Sequence, residues 1–366
     1  MPGADGFPSF PSTTPGALAP RRRTSAHRAA LAPLLALLLL TGCGSRTGLE
    51  GGLLAEPQGD SGALPGVDGG SSPQSVVLFG GIAETPDGGY ADQDDTWVWT
   101  ATTGWTEMHP AQSPSPRSGA MAASLAGDTI LFGGDGPTAE TWSWNGATWT
   151  QLAPSGSPPP LTSSVFGALG PGLALFGGYD YGTLYEDLWR WDGMGWTHEA
   201  PAVTPSPREA PAGAVLDRAL LVFGGEDTDY EPLGDTWRYD GTGWTQLQPA
   251  HSPSPRRGAV AASLDGTIVL FGGDTLPPAY GDWLSVDETW VWDGADWTEQ
   301  HPAQSPDARS FAAMAAAGGE VVLFGGGNFG GSFQAPDGTW TWDGSAWTKL
   351  AGQGPSPRNE PTMAAR

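Results

Sequence analysis

The chain holds one cysteine, Cys43, and five histidines in 366 residues. His109, His198, His251 and His301 stand far apart with no second histidine or cysteine nearby, so the ligand spacing of a transition-metal site is missing. No nucleophile elbow, phosphate loop or zinc motif occurs. Bases are scarce as well, 16 against 40 acids, and a surface of that sign repels phosphate backbones and excludes nucleic acid as a partner. Solvation accounts for the surplus of acids. Charged residues make up only 15% of the chain.

What is abundant is glycine (56), proline (35) and short apolar runs bounded by turn residues, the pattern of an all-β protein. Val76-Val77-Leu78-Phe79-Gly80-Gly81 returns with its Phe-Gly-Gly end unchanged at Phe132, Phe176, Phe223, Phe271 and Phe324. The phenylalanines are 53, 44, 47, 48 and 53 residues apart, a period that implies one small sheet per copy. Each copy reads as a Pro-Arg start, a small-residue strand, the Phe-Gly-Gly strand, a loop, a Trp-x-Trp strand and a strand opening on Trp-Thr. Asn145-Gly146, Asp192-Gly193, Asp240-Gly241, Asp293-Gly294 and Asp343-Gly344 join the last two strands as tight hairpins. Seventeen of the eighteen tryptophans recur at three fixed places, which marks packing between adjacent sheets.

This recurring order, a strand ending in Gly-Gly, a later aromatic pair and a tryptophan opening the final strand, resembles the kelch repeat. The resemblance covers residues 75–366 and implies an all-β, six-bladed kelch-type β-propeller with four antiparallel strands per blade, a to d from the axis outward. The chain enters on a b strand at Ser75-Val76, and residues 357–365 match the start of an a strand, so the first blade is expected to be closed by the C-terminal strand. Galactose oxidase shares this fold, but its copper site needs a cysteine cross-linked to tyrosine, and Cys43 lies outside the repeats.

Before the repeats, Arg21, Arg22, Arg23 and Arg28 precede an apolar run from Ala29 to Leu40, the layout of a signal peptide too short to span a bilayer. Leu40-Thr41-Gly42-Cys43 resembles the lipobox of bacterial lipoproteins. The resemblance implies cleavage after residue 42, lipid attachment at Cys43, a tether over residues 43–74, and a cell-envelope location, with Gly44 favouring the outer membrane. The twenty residues ahead of Arg21 exceed the usual short lipoprotein n-region. Removing residues 1–42 takes away four of the 16 bases and one of the 40 acids, leaving 12 against 39, a net charge of −27. Residues 44–74 are rich in Gly, Ser and Pro and, as a flexible chain, reach roughly 30 Å.

The b–c loops differ most among copies, from six residues (Asp135 to Glu140) to fourteen (Asp274 to Asp287), and variation on a fixed scaffold locates specificity. They hold Tyr90, Tyr179, Tyr181, Tyr185, Tyr230, Tyr280 and Trp283, together with Glu84, Asp87, Asp92, Asp94, Glu186, Glu226, Asp227, Asp229 and Asp282. Aromatic faces beside acids suit a protein surface or a sugar. Arg117, Arg208, Arg256, Arg309 and Arg358 start five a strands, where a guanidinium ring would hold a carboxylate, although such regular repetition argues for structure. Calcium at Asp92-Asp94-Asp95 or Asp227-Asp229 is a further candidate, against the commoner case of loop acids without metal. The leading expectation is a monomeric, non-enzymatic, lipid-anchored binding protein without cofactor or metal, whose partner is a protein or carbohydrate. Two alternatives stand beside it: a structural envelope component, and a periplasmic sugar-processing enzyme of the sialic-acid mutarotase kind, using Arg208 and Glu226.

Overall fold

A computed structural model describes residues 73–136, 139–276, 282–328 and 338–366. The chain divides into Met1–Leu64 and Pro65–Arg366, and every described residue belongs to the second unit. The signal sequence, Cys43 and most of the tether lie outside the described residues, as does Tyr280.

The described residues contain strands and no helix, in six four-stranded antiparallel sheets. Met121–Leu125, Asp128–Phe132, Thr141–Trp144 and Trp149–Leu152 form one such blade in chain order. The inner strands Thr362–Ala365, Met121–Leu125, Val165–Leu169, Ala212–Leu216, Val260–Leu264 and Ser310–Ala317 each pack beside the next, and the last returns to the first. Six blades therefore close around one axis. In the first blade Thr362–Ala365 pairs antiparallel with Ser75–Phe79, Val76 opposite Ala365 and Phe79 opposite Thr362. The junction is locked by the Ser75 carbonyl accepting the Arg366 amide at 2.7 Å.

Burial explains the sequence gradient across a blade. Second strands such as Gly172–Phe176 are buried along their whole length, hence their continuous apolar runs. Outer strands such as Trp196–Glu199 bury the opening tryptophan and expose the two polar residues after it, here Thr197 and His198.

The blades are joined by a contact that recurs around the whole ring. The phenylalanine of each Phe-Gly-Gly packs on the outer-strand tryptophan of the next blade, from 4.7 Å between centroids for Phe176 and Trp244 to 5.7 Å for Phe324 and Trp105, the pair that closes the circle. The Trp-x-Trp pair joins the same wedge: Trp142 and Trp144 cluster with Val77 and Phe79 of the preceding blade. Five of the outer tryptophans also donate Nε1–H to a threonine on that blade, as Trp196 does to Thr141 at 3.0 Å and Trp105 to Thr339 at 2.7 Å. At the remaining junction Leu188 replaces the threonine, and Trp244 Nε1 has no partner among the described residues.

The Gly-Gly pair has its own cause. Gly133 holds φ +66°, and a Cβ there would lie 2.3 Å from the Leu161 carbonyl of the next blade. Gly134 donates its amide to that same carbonyl at 3.0 Å. Only glycine permits both the positive φ and the approach.

A candidate binding site at the axial mouth

At or just before the start of each a strand one residue turns the chain at the axis: Gly119, Ser163, Ala210, Gly258, Phe311 and Glu360. All six hold positive φ, from +48° at Ala210 to +63° at Gly258, although four of them carry side chains. The cause is a ring of backbone hydrogen bonds. Ser163 donates to Gly119, Ala210 to Ser163, Gly258 to Ala210, Phe311 to Gly258, Glu360 to Phe311 and Gly119 to Glu360, at 2.8 to 3.3 Å. Six bonds running head to tail offset the strain of the left-handed conformation. The axial channel provides about 120 Å³ at the level of this ring and about 200 Å³ one step below it.

The b–c loops rise around the ring as continuations of the blades. Ile82–Glu84 pairs with Tyr90–Asp92, the fourth blade extends Ala219–Glu226 against Pro232–Tyr239, and Asp274–Thr275 pairs with Leu284–Ser285. The first residue after Gly-Gly then meets the residue just ahead of the axial turn, as Glu226 meets Glu209 and Asp274 meets Arg257. This brings side chains from several blades to one mouth.

The mouth is acidic. Burial pushes the Glu360 carboxyl up to about 6, and Asp135, Asp92 and Glu209 push it the same way, with Arg257 opposing. Burial likewise raises Glu209, with Glu226 adding to it. Asp92 is raised by burial and by Asp135, and Asp274 by burial. Arg257 pairs with the buried Glu226, and its guanidinium lies 4.0 Å from the centre of the Trp283 ring and 5.8 Å from that of Phe311. Tyr181 donates its hydroxyl to Asp135, and its ring lies 5.6 Å from that of Tyr179.

The sequence candidates divide into groups. Tyr181, Tyr179 and Trp283 join the mouth. Tyr90 and Tyr230 are exposed on the same rim, at 48% and 76%. Tyr185 is half-buried and donates to Asp180 at 2.7 Å, a bond that pushes its hydroxyl up to about 12.

The arginines call for a correction: Arg117, Arg208, Arg256, Arg309 and Arg358 are at most 2% exposed and offer no open guanidinium ring. Each donates to the first glycine carbonyl of its own blade's Gly-Gly, as Arg117 does to Gly133 at 2.9 Å. Four of them also pair with the acid just ahead of the Thr-Trp of the third strand: Glu140, Asp235, Glu288 and Asp95. In the sixth blade that place is taken by Gly338, and burial lowers Arg309 to about 10. Arg208 is consequently committed to Gly224 and Asp235 while Glu226 pairs with Arg257, so the acid–base pair required by a sugar-processing reading is not assembled.

Asp227 accepts the amides of Asp229 and Glu231 and so shapes its own turn. Among the described residues no group of three or more His, Cys, Asp or Glu is placed to hold a metal ion. His198 and His251 are exposed and each meets one aspartate, Asp187 and Asp296.

Glu209, Arg257, Phe311 and Glu360 escaped the sequence reading. A signal existed: the pair of residues after each of the five arginines differs from copy to copy (Ser118-Gly119, Glu209-Ala210, Arg257-Gly258, Ser310-Phe311, Asn359-Glu360), as does the pair after each Gly-Gly.

No curated protein matches the chain. Residues 71–273 match the KLHDC2/KLHL20/DRC7 Kelch-repeats domain, more than half of the sequence. With the repeated blade and its closure, this match makes the chain a member of that Kelch-repeat family.

Proposed function

We propose that the protein is a lipid-anchored interaction propeller of the cell envelope that captures a partner protein on its b–c rim. The placement of exposed apolar side chains carries this reading. Among the large exposed hydrophobic side chains of the described residues, Tyr90, Tyr181, Tyr230 and Leu284 lie in b–c loops and Val203 in a d–a connection of the same rim, while Met194 sits in a turn on the opposite one. Exposed apolar groups gathered on one face mark contact surfaces. A partner at the envelope meets this rim if Cys43 carries lipid and residues 44–74 act as the tether.

The test is capture of an envelope protein by the full chain, compared with Tyr181→Ala, Tyr230→Ala and Met194→Ala variants. Capture lost in the two tyrosine variants and kept in Met194→Ala supports the rim. Capture retained in all three overturns it. Labelled palmitate in the wild type and absent from Cys43→Ser supports the anchor, and equal labelling of both refutes it.

A further inference from the structure

We propose that the cleft between the sixth and first blades, on the flank of the ring, binds a neutral oligosaccharide. The cleft encloses about 950 Å³, the size of a ligand pocket and several times the spaces on the axis.

It opens where two copies break the common spacing. Trp99 and Trp105 stand six residues apart, whereas the matching pair in each of the other five copies stands five apart, so the turn of the first blade carries one extra residue. In five copies the outer tryptophan stands twelve residues before the a-strand arginine or Leu161, with a proline in fifth place, as Pro110 follows Trp105 and Pro302 follows Trp297. In the sixth copy Trp347 stands eleven residues before Arg358, and Gly352 replaces the proline. The longer turn and the shorter connection both line the cleft, and together they leave this junction less covered than the rest. Trp105 is accordingly half-buried, whereas Trp149, Trp196, Trp244, Trp297 and Trp347 are at most 6% exposed.

The lining selects the ligand. Thr341 is 4% exposed, stands opposite Thr348 on the wall of the sixth blade, and its hydroxyl has no hydrogen-bond partner among the described residues. A buried hydroxyl without a partner is costly, and a ligand hydroxyl would satisfy it. Thr100, Thr103 and Gln353 add further donors and acceptors. Among the described residues of the lining, Glu320 and Lys349 alone are charged, one of each sign, in a chain where acids outnumber bases 40 to 16. Such a balance gives no hold on an ion. A sugar ring meets both demands, its C–H face against the Trp105 indole and its hydroxyls on the threonines. The walls are strands of three to five residues, roughly 10–17 Å long, which suits a short chain of sugars rather than a single ring.

The experiment titrates the full chain, by calorimetry, with cellohexaose, maltohexaose and chitohexaose. The expected result is binding of at least one of the three. Thr341→Val removes the hydroxyl and installs the residue that Val98 and Val291 supply at the same place in other blades, so the variant should fold and bind about threefold to tenfold more weakly. Thr103→Trp fills the cleft from an exposed turn and should abolish binding, while Ala147→Trp, on the matching turn of the second blade, should leave it unchanged. No binding of any of the three sugars overturns the proposal, and so does binding that survives both Thr341→Val and Thr103→Trp. Equal loss in Thr103→Trp and Ala147→Trp would place the sugar elsewhere and overturn it too. The b–c rim stands or falls separately, because Tyr181 and Tyr230 do not line this cleft.

Discussion

Glu360 is the residue where backbone and charge make opposing demands. Its backbone closes the axial ring at φ +52°, and its carboxylate is held among acids that disfavour ionisation. The folded carboxyl titrates near 6 against an ordinary 4.5, so folding favours the protonated form. The stability this provides is complete below pH 4.5 and is lost as the pH rises through about 6. Glu360→Gln keeps the shape and removes the charge. Urea unfolding should therefore show the variant more stable than the wild type by about 2 kcal/mol at pH 7.5, with the gap closing toward pH 4. A variant less stable at pH 7.5 would mean that the carboxylate is stabilised by an ion pair rather than strained by its neighbours.

Between elements, the blades are held by one repeated junction, phenylalanine on tryptophan with a threonine beneath. Thr141→Val deletes the acceptor of the buried Trp196 Nε1–H and keeps the shape, so it should cost about 1–2 kcal/mol in chemical unfolding. An unchanged midpoint would show that the indole is satisfied by water. The junction of Trp244 with Leu188 already lacks this bond. These junctions were legible in the sequence because they recur: the tryptophans, the Gly-Gly pairs and the Asp-Gly turns stand at fixed places in each copy. The arginines were legible only in part: their repetition argued for structure, but a guanidinium ring open to a carboxylate stood beside that reading until their burial decided between the two. The mouth was not legible. Asn359-Glu360 reads as an unremarkable polar pair until the chain end is laid beside the first and second blades, which brings Glu360 to Asp92 and Asp135. Nothing in local spacing fixes that meeting, because it depends on the closure of the whole ring and on residues that differ in every copy.

At the largest scale, the described blades form a closed circle in which each has two neighbours, so the weakest point of the circle is the place where it is completed by a non-covalent strand. Residues 355–366 supply the inner strand of the first blade, the Arg358 pair with Asp95, the Arg358 bond to the Gly80 carbonyl, and the Glu360 member of the axial ring. Without them Ser75–Phe79, buried from Val76 onward, becomes a bare sheet edge beside an open channel. Met363 also leaves the apolar cluster it shares with Val76, Leu78, Trp99 and Phe324 across the first and sixth blades. Deleting residues 355–366 should thus abolish the cooperative thermal transition or lower it sharply, with aggregation through the exposed edge. Arg358→Ala should lower the same transition less, because it leaves an aspartate and a carbonyl without their donor but keeps the strand in place. A truncated chain that melts at the wild-type temperature would show that five and three-quarter blades hold together without closure, and the axial ring would then lose its role as the fastening of the fold.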